Sequence, residues 1–230
     1  MRKIYKSTFG VAAAGLMAFS LAACSTPAEE EPTSSTEVSD TETMAEPEPL
    51  ASIPTLTGVD TQVTVDQGFV DAITGLGLTP GVVGTATFTD GVFAFPITGG
   101  NVDYYDPEED YRPYVQGEIL HEGSGISLTN GTTLVELSNF DIDPGNNSTL
   151  FGDVSANGEV VVEDAPLFRL DGTTLNPLEM DENGNAVLEG TTVYVSEEAA
   201  ALLNETYGTD AVTGDLKVGI AKITAAVPAS

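Results

Sequence analysis

Short runs of alternating apolar and polar residues, divided by Gly- and Asn-rich turns, dominate the chain beyond residue 52. Residues 85–89, 126–129, 133–137 and 159–163 all alternate as half-buried strands do. Turn signals recur between such runs, among them Asp90-Gly91, Gly99-Gly100-Asn101, Asn130-Gly131, Asn157-Gly158, Asp171-Gly172 and Asn183-Gly184. The stretch 126–137 around Asn130-Gly131 is the clearest hairpin, because Asn-Gly accepts the positive φ of a type I′ turn. Many short strands with Gly-rich turns predict a mainly β domain, built as a sandwich or barrel.

Two stretches break this period with helical spacing, and they are related. Val63-Thr64-Val65-Asp66 leads into Phe69, Val70, Ala72 and Ile73, then Val83-Gly84-Thr85-Ala86; Val193-Tyr194-Val195-Ser196 leads into Ala199, Ala200, Leu202 and Leu203, then Val218-Gly219-Ile220-Ala221. In each, a strand ends in a good N-cap, a short amphipathic helix follows, and a second strand is expected to begin around Gly-x-Ala. Two strand-helix-strand units are thus predicted at the ends of the domain, bracketing a central β region over about 92–188.

The chain ahead of the domain reads differently. Arg2, Lys3 and Lys6 precede an apolar run of 15 residues from Phe9 to Ala23, the pattern of a signal peptide. The run falls short of the roughly 20 residues that span a bilayer. Leu21-Ala22-Ala23-Cys24 closes it, and Cys24 is the one cysteine of the chain. This tetrapeptide resembles a bacterial lipobox, which implies cleavage before Cys24 and its lipidation, with acyl chains stable enough to hold the protein on a membrane. Residues 1–23 are therefore read as signal peptide, 24–51 as the lipidated cysteine and a tether, and 52–230 as the globular domain. The tether is rich in Glu, Thr, Ser and Pro and has neither aromatic nor basic residues. It cannot bury enough apolar surface to offset its ordering entropy and is expected to be disordered.

Three of the seven basic residues lie in the leader, so four remain against 36 acids and the mature balance is −32. Nucleic-acid binding, which needs cations for phosphates, is excluded as a function class. No cysteine is left for a disulfide, a structural zinc or a thiol nucleophile. His121, the single histidine, ends a probable strand in Gly117-Glu118-Ile119-Leu120-His121-Glu122-Gly123-Ser124-Gly125. It is read as an exposed turn histidine, with a role as metal ligand or general base the sharper alternative. Ser124 stands near it, but no Gly-x-Ser-x-Gly elbow accompanies it. Tyr104, Tyr105, Tyr111 and Tyr114 crowd an acidic segment with Arg112 and Pro113. They form either a loop that covers one edge of the core or a binding surface, since tyrosine offers an amphipathic face and a phenolate for ferric haem. The acidic sets at 106–110, 141–147 and 181–185 lack the EF-hand pattern and read as turns, so no metal is assigned.

Four segments carry a family likeness: Phe93-Ala94-Phe95-Pro96-Ile97-Thr98-Gly99-Gly100, the 117–125 segment with its histidine, Leu150-Phe151-Gly152-Asp153-Val154, and Glu197-Glu198-Ala199-Ala200-Ala201-Leu202. Over about residues 58–228 they resemble secreted bacterial domains of the HtaA type. The resemblance implies a β-rich exported domain and haem held through tyrosine with histidine support, His121 being the position that carries over. Gln67-Gly68-Phe69 stands where that family has the aromatic-rich opening with its haem tyrosine.

These readings converge on a non-enzymatic protein anchored by lipid in the cell membrane or outer membrane, its β domain on the extracytoplasmic side. Its role is to bind or display a ligand or envelope partner of unknown identity. The alternative is a haem-binding surface protein using His121 and a tyrosine of the 104–114 cluster. An extracytoplasmic hydrolase relying on Ser124 and His121 is the remaining class.

Overall fold

In the computed structural model, residues 47–145 and 148–227 are described; the expected signal peptide, Cys24 and most of the tether lie outside them. The strands are β1 (Ala51–Ile53), β2 (Val59–Val65), β3 (Thr79–Gly84), β4 (Thr87–Thr89), β5 (Val92–Pro96), β6 (Gly99–Tyr104) and β7 (Val115–Thr129). They continue as β8 (Leu134–Asp143), β9 (Thr149–Ala156), β10 (Glu159–Asp171), β11 (Glu179–Met180), β12 (Ala186–Val195) and β13 (Lys217–Ala225). Helix α1 (Gln67–Gly75) follows β2 and α2 (Glu197–Tyr207) follows β12. All strands join one antiparallel sheet in the order β1-β6-β7-β8-β9-β10-β12-β13-β2-β5-β4, with β3 beside β7 and β11 beside β12. The mainly β, barrel-like fold expected from the alternation is the one observed.

What curls the sheet is a change of partner within one nearly continuous run. Ile97 N–H donates to the Val59 carbonyl at the start of β2 (3.1 Å), and Thr98 N–H donates to the Leu120 carbonyl on β7 (2.8 Å). The run from β5 to β6 thereby joins two strands that stand far apart in the strand order. On the opposite wall, bulges fall at one level of four neighbouring strands. Between His121 and Gly125, β7 advances four residues while β8 advances two; β8 against β9 and β10 against β9 shift again nearby. Asn139 and Asp164 take positive φ there (both 53°). Side chains tie the bulges together: Asn139 Oδ1 accepts from Gly123 N–H (2.9 Å), Asn139 Nδ2 donates to Asp153 (2.8 Å), and Asp153 accepts from Asp164 N–H (3.1 Å). Aligned bulges bend and twist a sheet, which is how a flat ladder becomes a wall of a barrel.

Both expected N-caps form, with Asp66 accepting from Gly68 N–H and Ser196 from Ala199 N–H. Glu197 and Glu198 occupy the first turn of α2, where the dipole favours anions. The helices bury Phe69 and Ile73, and Ala199 and Ala200, against one end of the barrel, over a core that includes Leu167, wholly enclosed at 0% exposure. In the second unit α2 links two strands that pair with each other; in the first, the strand after α1 pairs with β7 instead. That strand ends at Gly84 rather than starting there. Gly84 has φ +59°, and a Cβ on it would lie 1.9 Å from the Gly123 carbonyl, so the chain turns away at the one residue able to do so. Residues Ala45–Ser230 form one compact unit with its own core.

The hairpins divide by local chemistry. Asn157-Gly158 (φ 52° and 83°) and Asp90-Gly91 (φ 52° and 80°) are two-residue loops with positive φ at both positions. The 126–137 hairpin forms as expected, yet Thr129 pairs with Leu134, so its loop has four residues. Asn130 caps that loop with its side chain, accepting from Thr132 and Thr133 N–H, and only Gly131 has positive φ. Asn139→Ala should cost about 1–3 kcal/mol in urea unfolding, from left-handed strain plus two lost hydrogen bonds. Asn139→Gly, relieved of the strain, should cost clearly less; equal losses would show that the bulge conformation stores none of the difference.

Candidate functional site

Inward-facing phenylalanines build the interior. Phe93 and Phe95 on β5 stack at 6.0 Å, Phe95 meets Phe140 of β8 edge-on at 5.3 Å, and Phe140 meets Phe168 of β10 at 6.3 Å. Period-two alternation puts all of them on the inner face of the curled sheet. They do not fill it. A cavity of about 400 Å³ runs inside the barrel, within the size range of small-molecule pockets, and its lining is almost wholly apolar. Its lining includes the exposed residues Arg112 and Gly172, with Pro113 and Tyr114 of the β6–β7 loop, Pro144 and Gly145 of the β8–β9 turn, and Leu175 and Leu178 after β10. A second cavity of about 390 Å³ lies between the helices and the sheet. The two share Phe69, Ile126 and Phe168, which form the wall between them.

The tyrosine cluster splits in two. Tyr104 and Tyr114 line the barrel cavity and meet edge-on at 6.0 Å, whereas Tyr105 and Tyr111 pair with each other at 4.7 Å. Arg112 lies 5.5 Å above the Tyr114 ring. Burial raises the Tyr114 hydroxyl pKa, the neighbouring Tyr104 adds to this, and the Arg112 charge opposes it. The segment holding these rings covers one edge of the core, and Tyr104 and Tyr114 also line the cavity.

His121 is not an exposed turn residue. It is 1% exposed on β7, on the same face as Ile119, with Nε2 2.8 Å from Thr61 Oγ1 on β2 and Nδ1 3.3 Å from the Phe140 carbonyl on β8. The strand goes on past it through the bulge, which is why the glycines after it do not end the strand. Both ring nitrogens are engaged, and the side chain lines neither cavity. From Val115 to His121 is six steps of strand, about 20 Å, so His121 and the rim tyrosines stand at different levels of the barrel. Ser124, 0% exposed, donates its hydroxyl to the His121 carbonyl (3.0 Å) and not to the imidazole, so the serine–histidine pair of a hydrolase does not form.

The acidic turns behave as turns. Asp181 accepts from Asn183 N–H, Asn185 N–H and Asn185 Nδ2, chiefly the Asn185 contacts lowering its pKa; Asp143 accepts from Gly145 N–H and Asp106 from Glu108 N–H. Among the described residues no group of three or more His, Cys, Asp and Glu side chains is placed to hold a metal. Asp141, on β8, has one buried carboxylate oxygen without a partner; burial first, then Glu118, Asp164 and Asp143, raise its pKa.

Haem can be tested against this geometry. Its apolar macrocycle suits the lining of the barrel cavity in character. Among the described residues, the helix-side cavity has no histidine, cysteine, methionine or tyrosine on its lining, and the barrel cavity has Tyr104 and Tyr114 as the side chains that could meet iron.

No protein-family model matches the sequence, and no curated protein does. Among solved structures, the chain is similar to the C-terminal domain of HtaA from Corynebacterium glutamicum, at 19% identity and TM-score 0.52 over 74% of this chain and 97% of that one. It also matches the haem-binding protein HtaB from the same organism at 12% identity and TM-score 0.48, over 76% and 95% of the two chains. The chain thus has an HtaA-like fold, as the four segments implied. Among the described residues no helix is long and apolar enough to cross a membrane.

Burial lowers the His121 pKa to about 4, below its usual 6.5. Between those values the unfolded chain binds the proton that the folded chain refuses, so stability rises with pH through this window and is lost as pH falls. Urea midpoints should show wild type losing about 3 kcal/mol more than His121→Gln between pH 6.5 and pH 4. Parallel pH profiles for the two proteins would contradict a buried neutral imidazole.

Proposed function

We propose that this protein is a non-catalytic binding module, lipid-anchored at Cys24, that receives a largely apolar ligand in the cavity of its barrel, and that haem is the ligand to test first. The observation that carries the reading is the 400 Å³ apolar cavity opening at a rim of Tyr104, Arg112 and Tyr114. Haem gains support from the HtaA-like fold, and from the phenolate that a rim tyrosine offers ferric iron. Tyr114 and Tyr104 are the two phenols on the described lining that could serve as the ligand. Bound haem would supply a redox-active iron; the chain's own part is to exclude water around the macrocycle with Phe93, Phe95 and Phe140 and to present the phenol. His121 supports this arrangement from behind, by holding β7, β8 and β2 together.

Visible absorption titration of the Ala45–Ser230 unit with haemin tests this directly. A saturable band is expected, altered by Tyr114→Phe, or by Tyr104→Phe if that ring binds instead. No saturable band in wild type would remove haem and leave a cavity for another apolar ligand. For the anchor, Cys24→Ala should move the full-length protein from the membrane fraction to the soluble one, and unchanged fractionation would sink the lipid assignment.

A further inference from the structure

Among the described residues the barrel cavity has one charged residue on its lining, Arg112, and its position is unusual in two respects. Only four basic residues follow the leader, set against 36 acids. Asp106, Glu108, Glu109 and Asp110 sit within six positions of this arginine, yet it joins none of them. The ion pairs among the described residues are Arg169–Asp215 and Lys217–Asp66. Arg112 instead donates to backbone carbonyls, through Nη1 to Glu109 and to Tyr111 (2.7 Å) and through Nη2 to Pro107 (2.8 Å).

Those three contacts use three of the five N–H groups of a guanidinium. Nε–H and one Nη2 hydrogen remain. The carbonyl clip orients the group, the Tyr114 ring lies beneath it, and no carboxylate of the loop forms an ion pair with it. A guanidinium held by carbonyls, with two N–H groups left over and no carboxylate partner, at the lip of an apolar cavity is an arrangement that recognises a carboxylate by paired charge-assisted hydrogen bonds.

We propose that Arg112 reads the head group of the ligand: the cavity takes an amphiphile whose apolar body lies among the phenylalanines and whose carboxylate stays at the rim. This inference rests on the cavity being the binding site, as argued above. A porphyrin propionate and the carboxylate of a long aliphatic acid offer the same chemistry. The surrounding acids sharpen the selection, because they repel any anion that does not reach Arg112 itself.

The test pairs each acid with a neutral counterpart on the Ala45–Ser230 unit: haemin with haemin dimethyl ester by absorbance, and hexadecanoate with hexadecanol by displacement of the neutral fluorophore 1-aminoanthracene. Wild type should prefer the acid member of at least one pair, and Arg112→Gln should weaken that acid by about tenfold or more while leaving its neutral partner within about twofold. Arg112→Lys, which keeps the charge and loses the fork, should recover part of the preference. Preference confined to haemin assigns the porphyrin, and preference confined to hexadecanoate assigns the aliphatic acid. Equal weakening of acid and neutral members would make Arg112 a loop clip only and overturn the proposal, as would equal affinity of wild type for both. If no probe binds wild type at all, the cavity reading falls and takes this inference with it.

Discussion

The barrel depends on one exchange of backbone partners. At Ile97 the chain is still bonded to β2, and at Thr98 it is bonded to β7. Without that exchange β2 and β7 would be distant members of an open antiparallel sheet. With it, a single run of chain stitches them side by side, and the inner face becomes an enclosure. His121 reinforces the same seam from within, its imidazole reaching from β7 to Thr61 on β2. The hydrogen bond comes at a cost, since an imidazole so deeply buried gives up its charge.

The opposite wall has to bend for the seam to meet, and the belt of bulges through Asn139, Asp153 and Asp164 supplies the bend. The curved sheet encloses more space than its inward phenylalanines fill. The helices fill one end with Phe69 and Ile73. At the other end the rings of Tyr104 and Tyr114 line a cavity and do not close it. The site is thus a product of the closure geometry, and its chemistry comes from the loop that happens to border the unplugged end.

Much of this architecture was legible from local pattern. Alternation announced the strands, Asp66 and Ser196 announced the helices, and Asn157-Gly158 and Asp90-Gly91 marked turns, which the structure closes in two residues. Asn130-Gly131 has the same signature but a different outcome, because Thr132 and Thr133 offer their N–H groups to the Asn130 side chain and lengthen the loop. Ile119 and His121 share a strand face by simple period-two counting, so the burial of the histidine was readable once the strand was carried through Gly123. The bulges were not readable, since a bulge is defined by the residue count of the neighbouring strand. Nor was the division of the four tyrosines, which depends on which rings the curled sheet turns inward. Arg112 stood in plain view among the tyrosines, but its freedom from the nearby acids is a fact of three carbonyl positions that no sequence spacing encodes.

The sheet order also governs when this fold can exist. Strand β2, near the start of the domain, is flanked by β13, near its end, with Val63 opposite Ala221. A growing chain therefore holds β2 with one edge unsatisfied until almost the whole domain has been synthesised, and pairings this distant in sequence are the slow ones in folding. The nascent domain stays incompletely paired for most of its synthesis, and the sheet is completed only once its last strand emerges.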